Sequence, residues 1–148
     1  MNNKILIIGG DPNSVNSEII YKTWNKLNFK VKKKIYLIAN FELIRKQFKK
    51  IKSKVKIIKV KSIKENSSTK FLKIIDIPLK FKNPFNVSLK PSAKYIMECF
   101  NLAHKISQNK ECKGLINCPI DKKLLNKSKK IGVTEFLASK CKISNGSE

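Results

Sequence analysis

Arginine is almost missing from this chain of 148 residues: Arg45 stands alone among 33 Lys and Arg. Histidine is confined to His104, and Asp and Glu together number 10. Each shortage excludes something. With one histidine, and with Cys99, Cys112, Cys118 and Cys141 showing no Cys-x-x-Cys spacing, the zinc patterns are absent and reduced thiols are the simpler reading. The lack of arginine removes the planar fork that reads guanine and grips phosphate bidentately. Long apolar runs are also lacking. Met1-Asn2-Asn3-Lys4 leads only into Ile5 to Ile8, too brief for a signal peptide or a membrane span, so no membrane partner and a cytoplasmic location are expected.

What is abundant is lysine, and the formal net charge is +23. Such a charge ordinarily points to nucleic acid or another anionic surface. Here the lysines are spread over every segment beside many Ile and Asn, as an A/T-biased coding sequence would leave them. Weak adhesion to polyanions is expected, with no specific nucleic-acid partner. A stand-alone basic module that holds RNA, DNA or another polyanion is the alternative, and it requires lysines gathered on one face.

The length is enough for one core. Ile5 to Ile8, closed by Gly9-Gly10, reads as a central strand buried on both faces. A helix follows with Asn16 as N-cap, Glu18 in its first turn, and Ile20, Trp24 and Leu27 inward. Its N-terminus points back at the loop and is a weak anion site. Ile35 to Ala39 is a second strand, and Glu42 to Lys50 a basic helix burying Leu43, Ile44 and Phe48. Val55 to Val60 alternates apolar residues with lysine, the pattern of a strand near a sheet edge. Ser62 to Lys70 is a loop, and Phe71 to Ile77 is a strand.

Pro91 is placed as the first residue of the longest helix, whose inward face carries Ala93, Ile96, Met97, Phe100, Ala103 and Ile106. Cys99 is buried on it, and His104 is a packed or surface residue. Lys113 to Asn117 reads as a buried strand, Asp121 to Asn126 as a short helix with Leu124 and Leu125 inward, and Thr134 as cap of a last helix running through Lys140. Strands alternating with helices predict the α/β class, a mainly parallel sheet flanked by helices. Ligands of such sheets bind outside the carboxyl ends of the strands, which singles out Asn117, Asp121, Lys122 and Thr134.

Two stretches carry a family resemblance. Gly10-Asp11-Pro12-Asn13-Ser14-Val15-Asn16-Ser17-Glu18-Ile19 follows the first strand, and Pro119-Ile120-Asp121-Lys122 precedes Gly132-Val133-Thr134-Glu135-Phe136. In this order they resemble the 4-hydroxythreonine-4-phosphate dehydrogenases of vitamin B6 synthesis. Ser14 and Asn16 stand where that family has glycines, and Val133 where it has a substrate-contacting histidine. The resemblance implies the N-terminal part of an isocitrate/isopropylmalate-dehydrogenase-like fold, with residues 1–148 a single α/β portion of a longer parent. It also implies oxidation and decarboxylation of a 4-phosphooxy-threonine-type substrate with NAD or NADP and a divalent metal ion, in a homodimer. The metal histidines and the nicotinamide segment fall in the half of the family that would follow Glu148, so this portion alone is expected to be inactive, or kept only for association. Thr134 is implied as a substrate-binding residue, with Asp121 and Lys122 beside it.

Overall fold

The computed structural model describes residues 3–65, 68–121, 123–125 and 132–140. Five strands and five helices follow one another along them: β1 (Lys4–Ile8), α1 (Asn16–Lys26), α2 (Phe29–Lys32), β2 (Ile35–Ala39), α3 (Phe41–Lys50), β3 (Lys56–Val60), β4 (Phe71–Asp76), α4 (Leu89–Ser107), β5 (Cys112–Asn117) and α5 (Val133–Lys140). All pairings are parallel, in the order β3-β4-β2-β1-β5. The α/β class expected from the strand and helix alternation is therefore the one observed.

Side-chain alternation along the strands builds two cores. Leu6, Ile8, Tyr36 and Ile38 point to the face covered by α4 and α5, where Ile96, Phe100 and Phe136 complete the packing. Ile35, Leu37, Ala39, Leu72 and Ile74 point to the other face, against Ile20 and Trp24 of α1 and Ile44 and Phe48 of α3. β2 lies between both layers and is buried at every position. β1 is less enclosed than its apolar run promises: Leu6 and Ile8 are fully buried, whereas Ile5 and Ile7 are half-buried.

β3 is an edge strand, as its alternating lysines predict. β5 is the other edge, which corrects the expectation of a buried strand there: Ile116 is 54% exposed. The short apolar run Leu115-Ile116 cannot reveal whether a neighbour strand exists. The α4 start is also corrected. Ser88 takes the N-cap position and Pro91 lies in the first turn but not at its first residue, a place equally free of any demand for a proline N–H.

One buried group runs against the apolar logic. Lys73 of β4 is completely buried, its ammonium donating to the carbonyls of Lys33 (2.9 Å) and Lys32 (3.3 Å) at the C-terminal end of α2 and lying 4.4 Å from the centre of the Tyr36 ring. Helix-end carbonyls and an aromatic face are what a buried cation needs. Burial, with the nearby Lys4 adding repulsion, still pulls its pKa down to about 8. Between there and the ordinary value of 10.5 the unfolded chain binds the extra proton, so the stability that depends on Lys73 rises with pH across that window. Urea unfolding from pH 7 to pH 10 should show wild type gaining on the Lys73→Met variant by on the order of 3 kcal/mol. A constant difference between the two across that range would refute the assignment.

Candidate functional site

The carboxyl ends of β1, β2, β4 and β5 share one rim, and the chain closes that rim with side-chain amides. Each strand end exposes backbone groups that need partners once buried. Asn13 exchanges two hydrogen bonds with Val87, one from its Nδ2 to the carbonyl and one to its Oδ1 from the amide, both 2.7 Å. Gln47 of α3 donates to the carbonyls of Pro12 (2.9 Å) and Pro84 (2.7 Å). Asn40 caps α3 through the Leu43 amide and donates to the Ile77 carbonyl, both at 2.8 Å. Its own amide donates to the Tyr95 hydroxyl at 2.9 Å.

Asn16 is the fourth such residue, and its place corrects the expectation of an N-cap. Val15 occupies the N-cap position of α1 with no side-chain cap bond, and Asn16 begins the helix, almost fully buried. Its Nδ2 donates to the Pro119 carbonyl at 2.7 Å, joining the first loop to the turn after β5, while Oδ1 has no partner among the described residues. The carboxamide lies over Gly10, whose φ of +75° suits glycine. A Cβ there would strike Asn16 Nδ2 and stand 2.7 Å from the Pro119 carbonyl oxygen and 3.0 Å from that of Cys118. The space over Gly10 is therefore occupied by the chain itself.

The turn after β5 carries the remaining candidates. Asn117 is exposed, and its Nδ2 reaches the Cys118 carbonyl at 3.4 Å. Cys118 is buried, and burial pushes its thiol up to about 11, so it is not a thiolate nucleophile at neutral pH. Asp121 is exposed, and its Oδ1 accepts the Lys123 amide at 2.9 Å. That bond opens the single 3₁₀ turn of residues 123–125, where a short helix is expected; Leu124 and Leu125 are buried as predicted. Lys122 lies outside the described residues.

Thr134 sits differently from its predicted role. α5 begins at Val133, two residues earlier than a Thr134 cap would place it, with the Gly132 carbonyl accepting the Phe136 amide at 3.0 Å. Thr134 is thus within the first turn, exposed, and its hydroxyl bonds to no described residue. Glu135 folds back over Gly132, where a Cβ would stand 2.5 Å from Oε2. Phe136 anchors the helix, its ring edge-on to Phe100 of α4 at 5.7 Å. No hydrogen bond links Thr134 to Asp121 among the described residues: the structure sets them on successive segments after β5 without joining them.

Sequence reasoning missed Asn13, Asn40 and Gln47. A signal was available for one of them: Gln47 falls on the stripe of Leu43, Ile44 and Phe48, so an amide lay on an apolar face.

A family model for the pyridoxal phosphate biosynthetic protein PdxA matches residues 30–147. The chain belongs to the PdxA family. No curated protein sequence matches it. Among solved structures, a 4-hydroxythreonine-4-phosphate dehydrogenase from Burkholderia phymatum superposes with a TM-score of 0.81 at 19% identity, covering 94% of this chain and 43% of that one. One from Klebsiella pneumoniae gives 0.80 at 20% identity, covering 94% and 44%. This PdxA-family chain therefore spans less than half the length of the structures it resembles, and at that identity they establish the shared fold.

The packing over Gly10 is directly testable. Gly10→Ala should lower stability by about 3 kcal/mol in urea unfolding, from the positive φ and the close contacts together. Asn16→Gly in the same chain should restore only part of it, because the two carbonyls are backbone and remain.

Proposed function

We propose that this chain forms the N-terminal part of a dehydrogenase of vitamin B6 biosynthesis that oxidises and decarboxylates a 4-phosphooxy-threonine-type substrate. Family membership supports the pathway; the reaction, NAD or NADP, the divalent metal ion, the homodimer and the cytoplasmic location follow on this reading. No helix among the described residues is long and apolar enough to cross a membrane.

The chain's own part is to bind and orient. Among the described residues no group of three His, Cys, Asp or Glu could hold a metal ion, and the space over Gly10 is filled, so these residues do not fit the metal or the nicotinamide cofactor. Those belong, on this reading, to the rest of the parent protein, and residues 1–148 by themselves turn over no substrate.

One observation carries the assignment of Thr134. A threonine at a helix start is ordinarily explained by capping. Here that explanation is weakened, since the residue lies inside the first turn and its hydroxyl caps no group among the described residues. A free hydroxyl beside the unpaired N–H groups of a helix start suits a phosphate oxygen. Val133 offers no polar atom, so the substrate bond its family histidine would make is absent, and Thr134 carries more of the contact. Asp121 takes second place because its carboxylate is already used by the Lys123 amide. Lys122, next to it in sequence, keeps the same second place and lies outside the described residues.

The test is an NMR titration of the isotopically labelled chain with 4-phosphooxy-threonine. Shifts should gather at Gly132 to Phe136, and Thr134→Val should weaken binding by about tenfold, the cost of one hydrogen bond to a charged group. Shifts scattered over surface lysines, unchanged in the variant, would remove the assignment.

A further inference from the structure

Lys46, Lys49 and Lys50 stand at i, i+3 and i+4 on α3, exposed on one face of the helix. Lys82 and Asn83 face them across a cleft of about 650 Å³ floored by Pro84. Lys82 also lines the next cleft, of about 440 Å³, with Lys80 and Phe81. The two are joined at Lys82, and Lys46 reaches over the Phe81 ring at 5.3 Å, which ties α3 to the loop between β4 and α4.

No carboxylate among the described residues lines either cleft. Like charges one helical turn apart repel, so four lysines around one cleft are a cost unless an anion enters. Arg45, the one arginine, is withdrawn from the group: Glu42 holds it through Nε at 3.0 Å and Nη2 at 2.7 Å. What remains are point charges on flexible stems, which hold phosphates without reading base edges. Phe81, half-buried, lines the second cleft between Lys80 and Lys82 with Lys46 over its ring as a flexible cover that a base displaces, and alternating charge with an aromatic platform is how single strands are held irrespective of sequence.

We propose that the trough formed by Lys46, Lys49, Lys50 and Lys82, continued by Lys80 and Phe81, binds single-stranded nucleic acid through its phosphates, with a base against Phe81. This site lies on α3 and the β4–α4 loop, separate from Thr134 on α5, and is independent of the dehydrogenase reading.

Fluorescence anisotropy of a labelled oligouridylate with the 148-residue chain tests it against a control of equal charge. The Lys46→Gln, Lys49→Gln, Lys50→Gln and Lys82→Gln quadruple variant should weaken binding at least tenfold. The slope of log affinity against log salt should drop by about 3, at about 0.7 for each lost phosphate contact. The Lys26→Gln, Lys30→Gln, Lys54→Gln and Lys56→Gln variant, with the same net charge, should change affinity less than twofold, and thermal melting confirms that both fold. Equal losses in the two variants would overturn the site and leave only diffuse charge. Phe81→Leu should weaken oligouridylate about fivefold and leave the affinity for inorganic polyphosphate unchanged. An equal effect of Phe81→Leu on both ligands would overturn the assignment to nucleic acid.

Discussion

Every strand of a parallel sheet delivers its end to the same rim, and there the backbone loses its ladder partners. Four side-chain amides answer that constraint here. Asn13, Asn16, Asn40 and Gln47 reach carbonyls or amides of Val87, Pro119, Ile77, Pro12 and Pro84, so that segments far apart in sequence are fixed to one another. An amide suits the task because it carries both donors and acceptors and needs no counter-charge when buried. In a chain of charge +23, a rim closed by carboxamides also avoids adding buried cations to an already repulsive surface. The one buried cation among the described residues, Lys73, is placed away from this rim, against helix-end carbonyls and a tyrosine ring.

Closing the rim has a functional consequence. A loop that follows the first strand of an α/β sheet and enters a helix is a place where glycines leave backbone N–H groups open to an anion. Here Asn16 fills the space over Gly10 and Ser14 turns its hydroxyl onto the Asp11 carbonyl at 2.8 Å. The loop is converted from a receptor into a brace. After β5, by contrast, the polar side chains of Asp121 and Thr134 remain exposed.

How much of this was readable from the letters depends on the range of the interaction involved. The strand β2 was legible to the residue, because Ile35 to Ala39 is apolar throughout and buried throughout. The edge position of β3 was legible because lysine alternates with apolar residues. β5 misled, since an apolar run says that a strand forms but not how many neighbours it has, and Ile116 proves exposed. The helix caps misled for a related reason: Asn16 and Thr134 are good capping types, but Asn16 found a partner 103 positions away and α5 began at Val133, two residues before a Thr134 cap would start it. Long-range hydrogen bonds decide such cases, and a single sequence does not display them. The family resemblance supplied the order of the motifs and hence the fold; the rearranged roles of Asn16 and Thr134 came from the structure.

The same distinction between local and long-range forces governs the charge. Dispersed lysine, seen as composition, is indifferent to place. Folding is not: α3 puts Lys46, Lys49 and Lys50 on one face only because Leu43, Ile44, Gln47 and Phe48 are drawn to the other. The helix that closes the rim through Gln47 therefore aims its lysines outward beside Pro84, the residue whose carbonyl Gln47 also holds. The order of the β4–α4 loop and the concentration of charge next to it thus have a single origin, the amphipathic face of α3. A substitution that frees Gln47 should loosen the loop and disperse Lys82 from the cleft together, so the polar brace and the basic trough are two faces of one helix.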